Sequence, residues 1–278
     1  VNPELVLRIK SGLVLAVLVL AATWAGGIWF RLLAVAIAVL IFYEFSTIAR
    51  NQERDPVGNG IGWLCVAVSG LLILYDRSSL ALVVIVAGAI AAAAPALFRR
   101  KPAWAATALA YAGLSGLALS EIRGEGLLGL FAMLFVFAIV WATDILAYFC
   151  GRAIGGAKLA PSISPGKTWS GAIFGAAAGV AAGVAVALGI RPGGDIAIPL
   201  IALVLSIASQ CGDLFESWIK RRFSVKDSSR LIPGHGGVMD RVDGLVFAAF
   251  AAFLIAGLMP NSSMLAGGDE LAARLLGQ

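Results

Sequence analysis

The sequence is poor in charge, has one histidine, and carries three cysteines that form no motif. Asp, Glu, Lys and Arg make up 13% of its 278 residues, about half of the roughly 25% usual in a soluble domain. That deficit excludes an ordinary water-facing surface. Cys65, Cys150 and Cys211 lie far apart in or beside apolar runs, without a C-x-x-C, so they read as packing residues, not as a disulfide framework or zinc site. With His235 as the only histidine, a His-rich metal site is excluded. No G-x-S-x-G elbow is present. Gly166-Lys167-Thr168 resembles the end of a P-loop, but Pro161 stands where that loop needs its first glycine. Nothing points to nucleic acid as a partner.

What is abundant is apolar. Hydrophobic residues reach 60%, the mean hydropathy is +0.93, and Gly and Ala are frequent, as where membrane helices pack closely. Crossing a bilayer takes about 20 helical residues. Nine stretches qualify or nearly do: Leu13–Phe30, Leu32–Ala49, Ile61–Tyr75, Leu80–Leu97, Trp104–Ser120, Leu127–Cys150, Trp169–Ile190, Ile196–Phe215 and Leu245–Met259. Arg8 and Lys10 before Leu13–Ala22 imitate a signal peptide, but the run continues to Phe30 without a clear cleavage site and reads as a first span. The expected fold is an all-α integral membrane protein. Its organisation is five N-terminal spans in 1–120, a catalytic membrane region in 121–260 with long polar loops at 151–168 and 216–244, and a tail, 261–278, containing a short amphipathic helix.

Charge sets the expected orientation. Only Arg31, Arg77, Arg123, Arg191 and Arg274 fall opposite the N-terminus, and the other 16 of the 21 Lys and Arg share its side. By the positive-inside rule the N-terminus and both long loops face the cytoplasm. Along the seventh span Gly171, Gly175, Gly179 and Gly183 recur every four residues on one helix face. That face serves tight intramolecular packing, or alternatively a hinge or dimer seam.

Chemistry concentrates at the predicted cytoplasmic ends. Asp144 lies in the sixth span, Asp213 ends the eighth, and Asp240 and Asp243 precede the ninth. A carboxylate at membrane depth is costly and usually has a partner and a task. Asp213, Ser217 and Lys220 fall at i, i+4 and i+7, one helical face. The alternative is an ordinary interfacial helix with a Glu216–Lys220 pair. The basic run Lys220-Arg221-Arg222, then Lys226-Asp227, leads into Gly234-His235-Gly236-Gly237 and Asp240-Arg241. Such glycines let a backbone approach a ligand and point N–H groups at it. Acids for a divalent ion beside bases for phosphate suit a nucleoside triphosphate with Mg²⁺. His235 is expected to contact phosphate or brace the loop.

Ser217-Trp218-Ile219-Lys220-Arg221, Lys226-Asp227 and Ile232 through Asp243 together resemble the signature of phosphatidate cytidylyltransferases. Asp144, Ala147-Tyr148, Gly151-Arg152, Lys158-Leu159 and Ser164-Pro165-x-Lys167-Thr168-Trp169 resemble a second region of that family. Two positions depart from it: Gly166 stands where the family usually has Lys, and Ser170 where it usually has an acid. The resemblance implies transfer of the cytidylyl group of CTP to phosphatidic acid, giving CDP-diacylglycerol and pyrophosphate. It implies a homodimer among membrane lipids, and Mg²⁺ with a second cation such as K⁺. The metal would be held by Asp213 and Asp240. Lys220 and Asp243 would join them as catalytic groups. Asp144, Lys167, Ser217, Arg221, Lys226, Asp227, His235, Gly236, Gly237 and Arg241 would bind substrate. A CTP-dependent lipid kinase of the polyprenol type is the nearest alternative, and a transporter a more distant one.

Overall fold

The computed structural model describes residues 3–190, 196–258 and 268–276. Predicted positions Arg191 and Met259 and residues 261–267 and 277–278 of the predicted tail lie outside them. In chain order the elements are α1 (Pro3–Ala25), α2 (Gly27–Ala49), α3 (Asn51–Arg54), α4 (Pro56–Leu74), α5 (Ser78–Phe98), α6 (Trp104–Arg123) and α7 (Leu127–Ile154). Strands β1 (Lys158–Ala160) and β2 (Ser164–Thr168) follow, then α8 (Trp169–Ile190), α9 (Ala197–Arg222), α10 (Met239–Leu258) and α11 (Gly268–Leu275). Among the described residues nine helices are long and apolar enough to cross a membrane. A spanning helix closes its own backbone hydrogen bonds, which lipid cannot replace.

Several boundaries differ from the sequence expectation. The first two spans part at Gly26 and Gly27, with φ of 64° and 48°, not at Arg31. These left-handed values suit glycine and break the helix, whereas Arg31 continues α2 and pairs with Asp76 at 2.6 Å. Both long loops are shorter than expected, because α7 runs on to Ile154, α9 to Arg222, and α10 begins at Met239. The first loop also folds into an antiparallel hairpin of β1 and β2, pairing Lys158 with Thr168 and Ala160 with Ser164. Asp55 caps α4 by accepting from Gly58 N–H at 3.1 Å, with proline in the first turn.

The described chain divides into two compact units. The first comprises Val1–Ser120 with Phe223–Arg241, and the second Glu121–Arg222 with Val242–Gln278. In the first unit Ile73, Ala81, Ile85 and Leu117 form a buried core, flanked by Val35, Leu72, Leu82 and Leu114. The polar loop belongs to this unit through Phe223, whose ring meets Trp104 edge-on at 5.0 Å and lies 6.0 Å from the Arg54 guanidinium.

In the second unit α7 and α8 pack along the glycine face. A Cβ on Gly175 would lie 2.8 Å from the Thr143 carbonyl oxygen, and one on Gly179 would collide with Thr143 Oγ1. Gly183 faces Ile139 and Ala202 at similar range. The repeat therefore serves close packing within the chain, and this face is occupied. Thr143 and Ser206 hydroxyls meet at 2.7 Å beneath it, linking α7 to α9.

Candidate active site

The second unit gathers acids from three helices around one lysine. Asp144 comes from α7, Lys167 from β2, Asp213 from α9 and Asp243 from α10. Lys167 Nζ reaches Asp213 Oδ2 at 2.6 Å. Asp213 and Asp243 are within hydrogen-bonding reach of each other, and Asp144 interacts through charge with both Asp213 and Lys167. The backbone makes this meeting possible at Gly212, where any Cβ would collide with the Asp243 carbonyl oxygen. Gly244 repeats the device, its hypothetical Cβ lying 2.8 Å from Ser209 Oγ. Two helices can thus approach closely enough to set two carboxyl groups face to face.

The hairpin carries Lys167 on β2 to Asp213. Ser170 Oγ donates to the Gly155 carbonyl at 2.5 Å, and Thr168 Oγ1 accepts from Gly171 N–H at 3.1 Å, fixing the strand to the start of α8. Ser170, where the family pattern has an acid, is thereby a structural tie. Nothing lies within 4 Å of a Cβ placed on Gly166. Arg221 Nε donates to the Ile163 carbonyl at 3.3 Å, holding the hairpin turn from α9. Lys220 pairs with Glu216 at 2.7 Å, one turn earlier on α9, where Glu216 is 2% exposed. Ser217 is half-buried on the same helix as Asp213.

The first unit builds its own arrangement around Asp240. Its Oδ2 accepts from Ser228 N–H at 2.9 Å, Ser228 Oγ at 2.9 Å and Gly237 N–H at 2.8 Å. The Gly237 N–H therefore serves Asp240. Gly234 and Gly236, with φ of 76° and 86°, shape the turn in which Ile232 pairs with Gly236. His235 Nδ1 lies 2.8 Å from Ser11 Oγ on α1, and Arg241 Nε donates to the His235 carbonyl at 2.9 Å. His235 thus braces the turn against α1. Lys226 and Asp227 are exposed on the loop, and Arg241 is exposed in the first turn of α10.

One residue of this arrangement was not singled out from the sequence. Glu44, 0% exposed in α2, accepts from Ser228 Oγ, Ser229 Oγ, Val238 N–H and Met239 N–H at 2.9, 2.6, 2.8 and 2.7 Å. The signal was present: an acid inside the apolar run Ile41–Ile48 deserves the same suspicion as Asp144.

Fitness for a metal can be judged from the donor set. Among the described residues no group of three or more His, Cys, Asp or Glu forms a ready metal cage. Mg²⁺ rarely uses such a cage. It takes one or two carboxylates and completes its shell with water and substrate phosphate. Asp144, Asp213 and Asp243 bring carboxyl oxygens together beside Lys167, the hard oxygen donors that such a divalent cation takes. The residues fit.

The cytidylyltransferase family profile matches residues 6–259. A phosphatidate cytidylyltransferase of Brucella abortus biovar 1 is 45% identical over 258 residues, covering 93% of this chain and 95% of that protein. The phosphatidate cytidylyltransferase of Brucella suis biovar 1 is 46% identical over 247 residues, 89% of this chain and 91% of its own. That of Haemophilus influenzae is 43% identical over 145 residues, 49% of each chain. With a family match along most of its length and relatives of this similarity, the chain belongs to the cytidylyltransferase family.

Proposed function

We propose that this protein transfers the cytidylyl group of CTP to phosphatidic acid, producing CDP-diacylglycerol and pyrophosphate in phospholipid synthesis. The observation that carries the reading is the meeting of Asp213, Asp243, Asp144 and Lys167 in the second unit, in a chain whose full-length relatives bear that activity's name. A phosphate oxygen of phosphatidic acid attacks the α-phosphorus of CTP, and the bond to the bridging oxygen breaks to release pyrophosphate. The phosphate monoester has a second pKa of about 6, so much of it is already dianionic at neutral pH and a strong base is unnecessary. The difficulty is bringing two anions together, which calls for positioning and charge.

Asp213 and Asp240 are the proposed ligands of a divalent ion, Mg²⁺, with a monovalent cation such as K⁺ as a second. When bound, the divalent ion would withdraw charge from the triphosphate. Lys167 would hold Asp213 in register and then turn toward phosphate. Asp243 would orient Asp213 across the Gly212 contact. Lys220 would stand by as a further cation, and Ser217 would line the same face. Arg221, Lys226, Asp227, Arg241 and the turn at His235, Gly236 and Gly237 are proposed to contact substrate. The excess of Lys and Arg on one side supports a cytoplasmic N-terminus and a site facing the cytoplasm of the bacterial inner membrane. A homodimer is proposed as the working assembly.

The test is to incubate the purified protein with labelled CTP, phosphatidic acid and Mg²⁺. Labelled lipid with equimolar pyrophosphate is the expected result. With a polyprenol-type lipid alcohol in place of phosphatidic acid, release of CDP and a phosphorylated lipid would instead indicate a CTP-dependent lipid kinase.

A further inference from the structure

Glu44 is costly to bury. Its carboxylate lies within an apolar helix and is 0% exposed, and an enclosed charge is tolerated only where hydrogen bonds meet it. All four hydrogen bonds given above come from the segment between Ser228 and Met239, residues 184 to 195 positions further along the chain. Each carboxylate oxygen takes one hydroxyl and one backbone N–H. Val238 and Met239 stand at the start of α10, where N–H groups lack helical partners and a negative charge is favoured. Glu44 therefore caps that helix from another one.

The same loop holds Asp240. Ser228 Oγ lies 2.9 Å from Glu44 Oε2 and also 2.9 Å from Asp240 Oδ2. A hydroxyl has one proton to donate, so it serves the two carboxylates in alternation. The loop closes so tightly here that any Cβ on Gly237 would collide with Ser228 Oγ and crowd the Glu44 carboxylate. Gly237 must be glycine for that reason, and its N–H can then reach Asp240. The orientation of Asp240 is thus set by the loop, and the loop by Glu44.

We infer that Glu44 is a positioning residue for cytidylyl transfer, acting through the Ser228 hydroxyl to fix Asp240 for Mg²⁺-dependent binding of CTP. The inference rests on the proposed function above. It differs from a purely structural brace in one respect: Ser228→Ala severs Glu44 from Asp240, yet leaves the bonds of Glu44 to Ser229, Val238 and Met239 in place.

The experiment measures CTP binding by calorimetry in detergent, with Mg²⁺ and without any lipid acceptor, beside thermal unfolding of the same full-length samples. For Ser228→Ala we expect CTP affinity to fall about tenfold, the scale of losing an outer partner of a metal ligand, with a melting temperature that drops less than that of Glu44→Gln. Steady-state assays should show KM for CTP rising by the same factor while KM for phosphatidic acid stays fixed. Glu44→Gln should weaken CTP binding at least as much and lower the melting temperature as well. Wild-type CTP affinity in Ser228→Ala would overturn the inference, whatever Glu44→Gln does to folding. A wild-type protein that makes no CDP-diacylglycerol would sink the proposed function instead.

Discussion

Acids meet opposite surroundings in the two units. In the first, Glu44 and the Oδ2 of Asp240 are surrounded by the chain's own N–H and O–H donors. In the second, Asp144, Asp213 and Asp243 crowd one another, with Lys167 against Asp213. The first arrangement is self-sufficient and builds a loop. The second concentrates like charge where a low-dielectric environment makes repulsion strong, and it becomes favourable when a cation arrives. Donor saturation at Glu44 marks that acid as architecture, whereas Asp240, whose Oδ2 takes the loop's donors, and the crowded acids of the second unit are the groups proposed to meet a ligand.

Asp213→Asn attacks the crowded group directly and should have the largest effect. Turnover is expected to drop by about 10²–10³-fold or more, read as pyrophosphate release, while the protein elutes as the wild type does. Asp240→Asn should match it. Near-normal turnover in either variant would remove that residue from the metal site. Next comes Lys167→Ala, which deletes the charge-assisted bond at 2.6 Å. A loss of about 10–100-fold in kcat/KM for CTP is expected, and failure to see it would make Lys167 a bystander.

Gly179→Leu tests the scaffold beneath that group. Its side chain has no room beside Thr143 and Ser206, so stability should fall by about 1–3 kcal/mol, visible as a lower melting temperature in detergent. An unchanged melt would mean that α7 and α8 are not clamped there. The smallest effect belongs to Gly166→Lys. Open space surrounds that position, so stability should change by less than about 0.5 kcal/mol. An unfolded variant would show that the hairpin needs glycine.

Much of this was readable from residue order, because lipid imposes long apolar runs and each run announces a helix. The nine spans, the intramolecular use of the four glycines, and the nearness of Asp144, Asp213 and Asp243 were accessible that way, whereas the pairing of Lys167 with Asp213 came only from the structure. Three things were not. Of the three residues that separate the first two apolar runs, Gly26, Gly27 and Arg31, the sequence did not show which would break the helix; backbone conformation at the two glycines does. The hairpin β1–β2 was hidden by short strands containing Ser, Pro, Gly and Lys, which carry no alternating apolar pattern. Glu44 escaped because it lies far in sequence from the signature it supports. Periodicity sees neighbours, and the partners of Glu44 are 184 or more residues away.

The seam between α7 and α8 has a mechanical corollary. At Gly171 and Gly175 the backbone of α8 rests against that of α7, and at Gly179 and Gly183 it rests on side chains of α7 and α9, so axial sliding would drive side chains into main chain. One of these rods carries Asp144 and the other begins where the Lys167 strand ends. Acid and ammonium are therefore mounted on a single stiff beam, and whatever freedom the lysine has lies in its own methylene arm and the small hairpin at the beam's end.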